Sequence, residues 1–135
     1  KKLTPFYKKL TFDLDISKLC IWQQWVDTEK KRELLNRCKG LIMPSLWEGF
    51  GIPALEAMAC GTPVIGSTNG AMPEVLGNYG LLVNPLNINQ IADAIVQVET
   101  NSEILQKLCI EGPIRASEFD WIKSIRDLED RIKNL

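Results

Sequence analysis

Gly40-Leu-Ile-Met-Pro-Ser-Leu-Trp-Glu-Gly-Phe-Gly-Ile-Pro-Ala-Leu-Glu56 contains a short apolar run, a glycine-rich loop and the opening of a helix, in that order. Gly40 to Met43 reads as a short buried strand, and Pro44 and Ser45 end it because proline gives no amide to a ladder. A loop with Trp47 and Glu48 follows. A helix then starts near Pro53, a residue tolerated in a first turn, and it carries Glu56. Gly61 stops this helix, and Pro63 to Gly66 make the next strand.

The same alternation extends outward in both directions. From Leu19 onward, short apolar runs alternate with segments of helical period, the signature of a parallel sheet covered by helices. Leu19 to Trp22 reads as a strand, and Asp27 or Thr28 can cap the charged helix that runs to about Arg37. Glu74 to Leu76 occupy a short helical turn after Pro73, and Gly80 to Val83 read as a fourth strand. Beyond Pro85 the pattern is helical only. Ile88, Ile91, Ile95 and Val98 share one face, as do Ile104, Leu105 and Leu108, and three helices in succession are expected. The last runs from about Trp121 to Leu135, with Ile122, Ile125, Leu128 and Ile132 on a face that needs a surface to lie on. Leu3 to Leu14 reads as helical or irregular with no strand before it, whereas an open sheet of this type is built outward from a central first strand. The expectation is an α/β domain spanning residues 1–135 that lacks its first strand and helix.

Composition narrows the function. The chain has 135 residues, 45% hydrophobic and 24% charged, enough for one ordinary globular domain. Sixteen basic against seventeen acidic residues give a net charge of -1, without the basic footprint of a nucleic-acid binder. No apolar stretch approaches the length of a membrane-spanning helix and no signal-peptide core follows Lys1-Lys2, so a cytoplasmic chain is expected, with room for a peripheral membrane association in a longer parent protein. Cys20, Cys38, Cys60 and Cys109 are scattered, with no C-x-x-C pair and no histidine, and are expected to be reduced thiols, the first three behaving as small buried hydrophobes. No metal site is expected. Trp22, Trp25, Trp47 and Trp121 read as core or domain-interface aromatics, and Lys30-Lys31-Arg32 as a solvated helix face.

Glu48 and Glu56 stand eight positions apart across the loop and the helix start. Gly49 and Gly51 let main chain approach a ligand or take unusual dihedrals, and amides at a helix start receive phosphate oxygens. Carboxylates accept hydrogen bonds from sugar and ribose hydroxyls. A ligand with hydroxyls at both ends and a diphosphate between them, such as a sugar nucleotide, suits this arrangement. A tight turn at the glycines and a solvated Glu56 also fit the same residues. So does glycoside hydrolysis by the carboxylate pair, which binding of a sugar nucleotide without glycoside cleavage would exclude.

Glu48-Gly-Phe-Gly-Ile-Pro-Ala-Leu-Glu56 resembles the Glu-x7-Glu motif of retaining glycosyltransferases of the GT-B fold, the "group 1" family. The likeness continues through Ala57-Met-Ala-Cys-Gly-Thr-Pro-Val-Ile-Gly66, Gly70-Ala-Met-Pro-Glu-Val75, Gly80-Leu-Leu-Val-Asn-Pro85 and Ile91-Ala-Asp-Ala-Ile95, and covers about Leu19 to Trp121. The resemblance implies the Rossmann-like carboxyl-terminal half of a GT-B fold, which binds the donor. It further implies transfer of a hexose from a nucleoside diphosphate sugar to an acceptor with retention of configuration and without a metal. In that reading Glu48 holds donor-sugar hydroxyls near the reacting carbon. Gly49, Phe50 and Gly51 line the sugar and phosphate, Leu55 packs beside the ribose or offers an amide to the phosphate, and Glu56 binds ribose hydroxyls. Gln23 to Val26 would border the base, and Glu74 would support the loop near the donor.

The resemblance also sets expectations about what is missing. The family's Arg and Lys after the first strand, which neutralise the leaving diphosphate, have no counterpart here, and neither does its active-site histidine. Because reaction takes place between two domains, the chain alone is expected to be inactive, and its partners to be a UDP-, GDP- or ADP-sugar and an acceptor-binding domain or partner chain. The alternative is a non-catalytic nucleotide-sugar-binding or assembly module. Strand edges left uncovered make self-association an expectation too.

Overall fold

The computed structural model describes residues 4–134. Three apolar runs form its sheet: β1 (Leu41–Met43), β2 (Val64–Ser67) and β3 (Leu81–Val83). All pairing is parallel, in the order β1-β2-β3, with Ile42 opposite Ile65 and Ile65 opposite Leu81. Parallel neighbours need crossovers, and helices supply them. α3 (Ile52–Ala59) lies between β1 and β2 in the chain, and α4 (Met72–Leu76) lies between β2 and β3. Ahead of the sheet come α1 (Thr4–Asp13), a 3-10 turn at Ser17–Leu19 and α2 (Thr28–Arg37). After it come α5 (Ile88–Thr100), α6 (Ser102–Ser117) and α7 (Trp121–Lys133), so the three expected helices are present.

Strand alternation divides the core into two clusters. Val64 of β2 joins Leu35, Ala54, Ala57, Met58, Met72 and Leu76 on the side of α2, α3 and α4. Its neighbour Ile65 points the other way, to Val83, Ala94 and Val98 under α5. Every residue of β2 is buried, as expected of a central parallel strand covered on both faces. α6 reaches both clusters, with Leu105 against the second and Ala116 against the first.

Several expectations need correction. Leu19 to Trp22 form no strand: after the 3-10 turn the backbone is irregular, and Leu19 and Ile21 are 82% and 86% exposed. A strand exists through its ladder, and no described strand lies beside this segment. Four strands were expected and three form among the described residues. The core reading of the tryptophans also fails, since Trp25, Trp47 and Trp121 are largely exposed and Trp22 is partly so. All four cysteines are free, but of the three expected to be buried, Cys38, the C-cap of α2, is exposed and Cys20 and Cys60 are only half-buried.

Other expectations hold with small shifts of boundary. Asp27 is the cap of α2, its carboxylate accepting from the Lys30 amide at 2.7 Å. The segment expected to be helical or irregular at Leu3 to Leu14 is α1, although Leu3 lies outside the described residues. α7 carries the expected apolar stripe, yet Ile122, Ile125, Leu128 and Ile132 are all exposed and no described surface covers them.

Candidate functional site

The strands run outward in sequence order from β1, which is how one half of a doubly wound sheet is built. Ligands of such sheets bind beyond the carboxyl ends of the strands, at the side where the order reverses. The three described strands show no reversal, and β1 is the edge strand from which the order runs outward; at its carboxyl end Met43 leads into the loop 44–51 and then into α3. α3 opens on Gly51, whose φ is +92°, with no side chain capping it and proline in its first turn. The positive end of the helix dipole is therefore unshielded by any side-chain cap, as an anion site requires.

The loop after β2 supports the loop after β1. Gly70, at φ +62°, lies so close to Glu48 that an added Cβ would stand 2.7 Å from the Glu48 carbonyl oxygen and 3.0 Å from its nitrogen. The Ala71 amide donates to the same carbonyl at 3.2 Å. Asn69 Nδ2 donates to the Leu46 carbonyl at 3.4 Å, and the Asn69 amide donates to Ser67 Oγ at 2.9 Å. Glu48 is half-buried by this support. Its Cγ would lie 3.6 Å from a Cβ on Gly51, which would also meet Met72 Cε at 2.9 Å. Gly49 differs: its φ is not positive, and open space lies where its Cβ would be. Of the two glycines expected to need unusual dihedrals, only Gly51 does.

Phe50 and Leu55 share a cleft of about 370 Å³ with Glu74, Phe119, Asp120 and Trp121. Phe50 meets Phe119 edge to face, ring centroids 5.8 Å apart. Phe119 is in turn held by Arg115, whose guanidinium sits 4.6 Å from the ring centroid. Arg115 Nε donates to the Val75 carbonyl at 3.1 Å and Nη2 to the Glu74 carbonyl at 2.5 Å, tying α6 to the end of α4. Glu74, expected to support the loop near the donor, lines the cleft, and its carbonyl accepts from Arg115.

Glu56 faces α2. Lys31 Nζ donates to Glu56 Oε1 at 2.5 Å, and both residues line a hollow of about 210 Å³ with Thr28, Arg32, Leu35 and Cys60. Lys31 is therefore a paired, half-buried charge, while Lys30 and Arg32 beside it are exposed as expected of a solvated helix face. Gln23 and Gln24 line a different hollow, against Thr4, Pro5 and Lys8 of α1, without any of the residues from Glu48 to Glu56. The structure brings Glu48 and Gly51 close together and puts Phe50 and Leu55 in one cleft, whereas Glu56 opens onto its own hollow. Gly70, Arg115 and Lys31 were not anticipated as supports. The turn-prone Asn69-Gly70 pair and the spacing of Lys31 four residues before Leu35 are signals for two of them, and no local signal points to Arg115.

A parallel α/β half-sheet with a glycine-rich loop and an open helix start at its carboxyl edge is a Rossmann-like arrangement. Residues 4–113 match the family described as glycosyl transferases group 1, and the chain belongs to that family. It is 36% identical over 118 residues to an MMP alpha-(1->4)-mannosyltransferase of Mycolicibacterium hassiacum, covering 84% of this chain and 29% of that protein. It is 34% identical over 97 residues to O-antigen chain mannosyltransferase B of Escherichia coli, covering 72% of this chain and 26% of that one. Among solved structures, sucrose-phosphate synthase of Thermosynechococcus elongatus superposes with a TM-score of 0.84 at 27% identity, over 95% of this chain and 33% of the synthase. The C-terminal domain of a group 1 glycosyl transferase from Francisella tularensis gives 0.75 at 28% identity, over 87% of this chain and 63% of that domain. The chain thus spans less than a third of the length of the two mannosyltransferases. The fold is the Rossmann-like α/β domain expected from the resemblance.

Proposed function

We propose that this chain is the donor-binding part of a retaining glycosyltransferase that moves a hexose from a nucleoside diphosphate sugar to an acceptor. The observation that carries the reading is the placement of Glu48 to Glu56, which run from the loop at the carboxyl end of β1 into the uncapped start of α3. The diphosphate sits at the helix start with the main chain of Gly49, Phe50 and Gly51 along it. Glu48 accepts hydroxyls of the sugar, Glu56 those of the ribose, and Leu55 packs beside the ribose. When the bond from the anomeric carbon to the phosphate oxygen breaks, negative charge grows on the leaving diphosphate. The α3 dipole stabilises that charge where it develops. Bonding of the acceptor oxygen to the same face of the carbon, with its proton passing to the leaving diphosphate oxygen, gives retention. The names of several relatives favour mannose as the sugar.

Orientation of an acceptor and exclusion of water need a second wall, so the chain by itself is expected to bind a donor but to transfer little or nothing. That wall would come from an acceptor-binding domain or a partner chain. Calorimetric titration with UDP, GDP and ADP and their glucose or mannose conjugates tests the reading, beside Glu56→Ala as control. Micromolar to millimolar binding that is lost in the control supports a donor domain and names its base. Equal binding by the control contradicts the assignment of Glu56.

A further inference from the structure

Among the described residues, most ion pairs lie three or four residues apart within one helix, and two join separate elements. Lys39–Glu99 is one of these, and both its side chains are more than half exposed. The other is Lys31–Glu56, with side chains 40% and 34% exposed, and it falls on a residue of the proposed donor site. Partly exposed pairs add little to stability. The joining of α2 to the core is done by other groups: Leu35 is buried in the first cluster, and its carbonyl accepts from Thr62 Oγ1 at 2.6 Å. Leu35 stands one turn after Lys31, so the burial that anchors α2 also aims Lys31 at α3. Glu56 stands one turn before Cys60, which packs against the same cluster. Both ends of the pair are thus set by the core, and the bond engages Oε1 only.

We propose that Lys31 is a positioning residue for Glu56. It holds the carboxylate by one oxygen so that the other is presented, in a fixed orientation, to the ribose hydroxyls of the donor. The proposal rests on the reading of Glu56 as the ribose-binding group. A charge-assisted bond of this kind restricts rotation of a side chain that has three free torsions on an open helix face. The energy that orders Glu56 is then spent in folding and not on binding, which is how pre-organisation raises affinity.

The test is a mutant cycle read by calorimetry with UDP, GDP and ADP and their 2′-deoxy counterparts, on the native chain, Lys31→Met, Lys31→Arg, Glu56→Gln and the Lys31→Met/Glu56→Gln double variant. Circular dichroism establishes that each is folded, and Lys31→Gln repeats the test with a polar side chain if the Met variant is not. Lys31→Met is expected to weaken ribonucleotide binding about tenfold, the scale of coupling within one network. It should leave the 2′-deoxy ligand nearly unchanged, Lys31→Arg should restore most of the loss, and Lys31→Met should add nothing once Glu56 is Gln. If Lys31→Met keeps the preference for ribose while Glu56→Gln loses it, the pair is a surface contact and the proposal is overturned. An additive loss in the double variant overturns it as well, because Lys31 would then touch the ligand itself. A harmless Glu56→Gln, or a native chain that binds none of the diphosphates, removes the donor reading and this proposal together.

Discussion

Gly70 and Gly51 are positions where one added methyl group reaches the proposed site. Gly70→Ala would force an L residue to φ +62° and press its Cβ against the Glu48 carbonyl. The left-handed conformation alone costs about 1–2 kcal/mol, and displacement of the loop adds to it. Urea unfolding should show at least that loss, and donor affinity should fall with it. Glu33 offers a separate check on local electrostatics. The side-chain bond from Lys30, then that from Arg37, holds its carboxyl below the usual carboxylate range. A depressed folded value means the contribution is present above the unfolded value and is lost as pH falls through the lower folded one. An NMR titration should find a low midpoint for Glu33 that rises in Lys30→Ala. At this scale Glu48 and Glu56 could be proposed from sequence because the motif that contains them is continuous in the chain. Gly70 and Lys31 were not, because their partners lie in other segments and only the fold brings them together.

Elements differ in how far local sequence determines them. α2 was readable because a cap is a local event: Asp27 satisfies the Lys30 amide wherever the helix ends up. β1, β2 and β3 were readable because each is an apolar run bounded by proline or glycine. Leu19 to Trp22 has the same composition and no neighbouring strand, so its β-propensity has no ladder to express it. Arg115 shows the reverse case, a polar residue inside α6 whose task was invisible before folding. Its guanidinium serves the carbonyls of Glu74 and Val75 and backs Phe119. Hydrogen bonds from a charged group contribute about 1.5–3 kcal/mol together with the cost of leaving acceptors unpaired, so Arg115→Ala should lower the urea-unfolding free energy by that order. Because Phe119 meets Phe50, the same variant should also weaken donor binding, whereas Lys107→Ala on the exposed side of α6 should change neither.

Many large apolar side chains are exposed among the described residues of the molecule. β1 pairs on one side only among the described strands, Ile42 is exposed, and the stripe on α7 faces no described surface. An open strand edge and an apolar helix face both favour association, so analytical ultracentrifugation should find a mass that rises with concentration. Ile125→Glu together with Leu128→Glu should reduce that rise. Among the described residues no helix is long and apolar enough to cross a membrane. Membership of the glycosyltransferase family follows from the chain; donor binding at β1 and α3 is the central claim. Its most direct test is the amide spectrum of the ¹⁵N-labelled chain during addition of GDP-mannose, UDP-glucose and ADP-glucose in separate titrations. Saturable shifts centred on Gly49, Phe50, Gly51, Ile52 and Glu56 with one of them are the expected result, and shifts confined to other segments would contradict it.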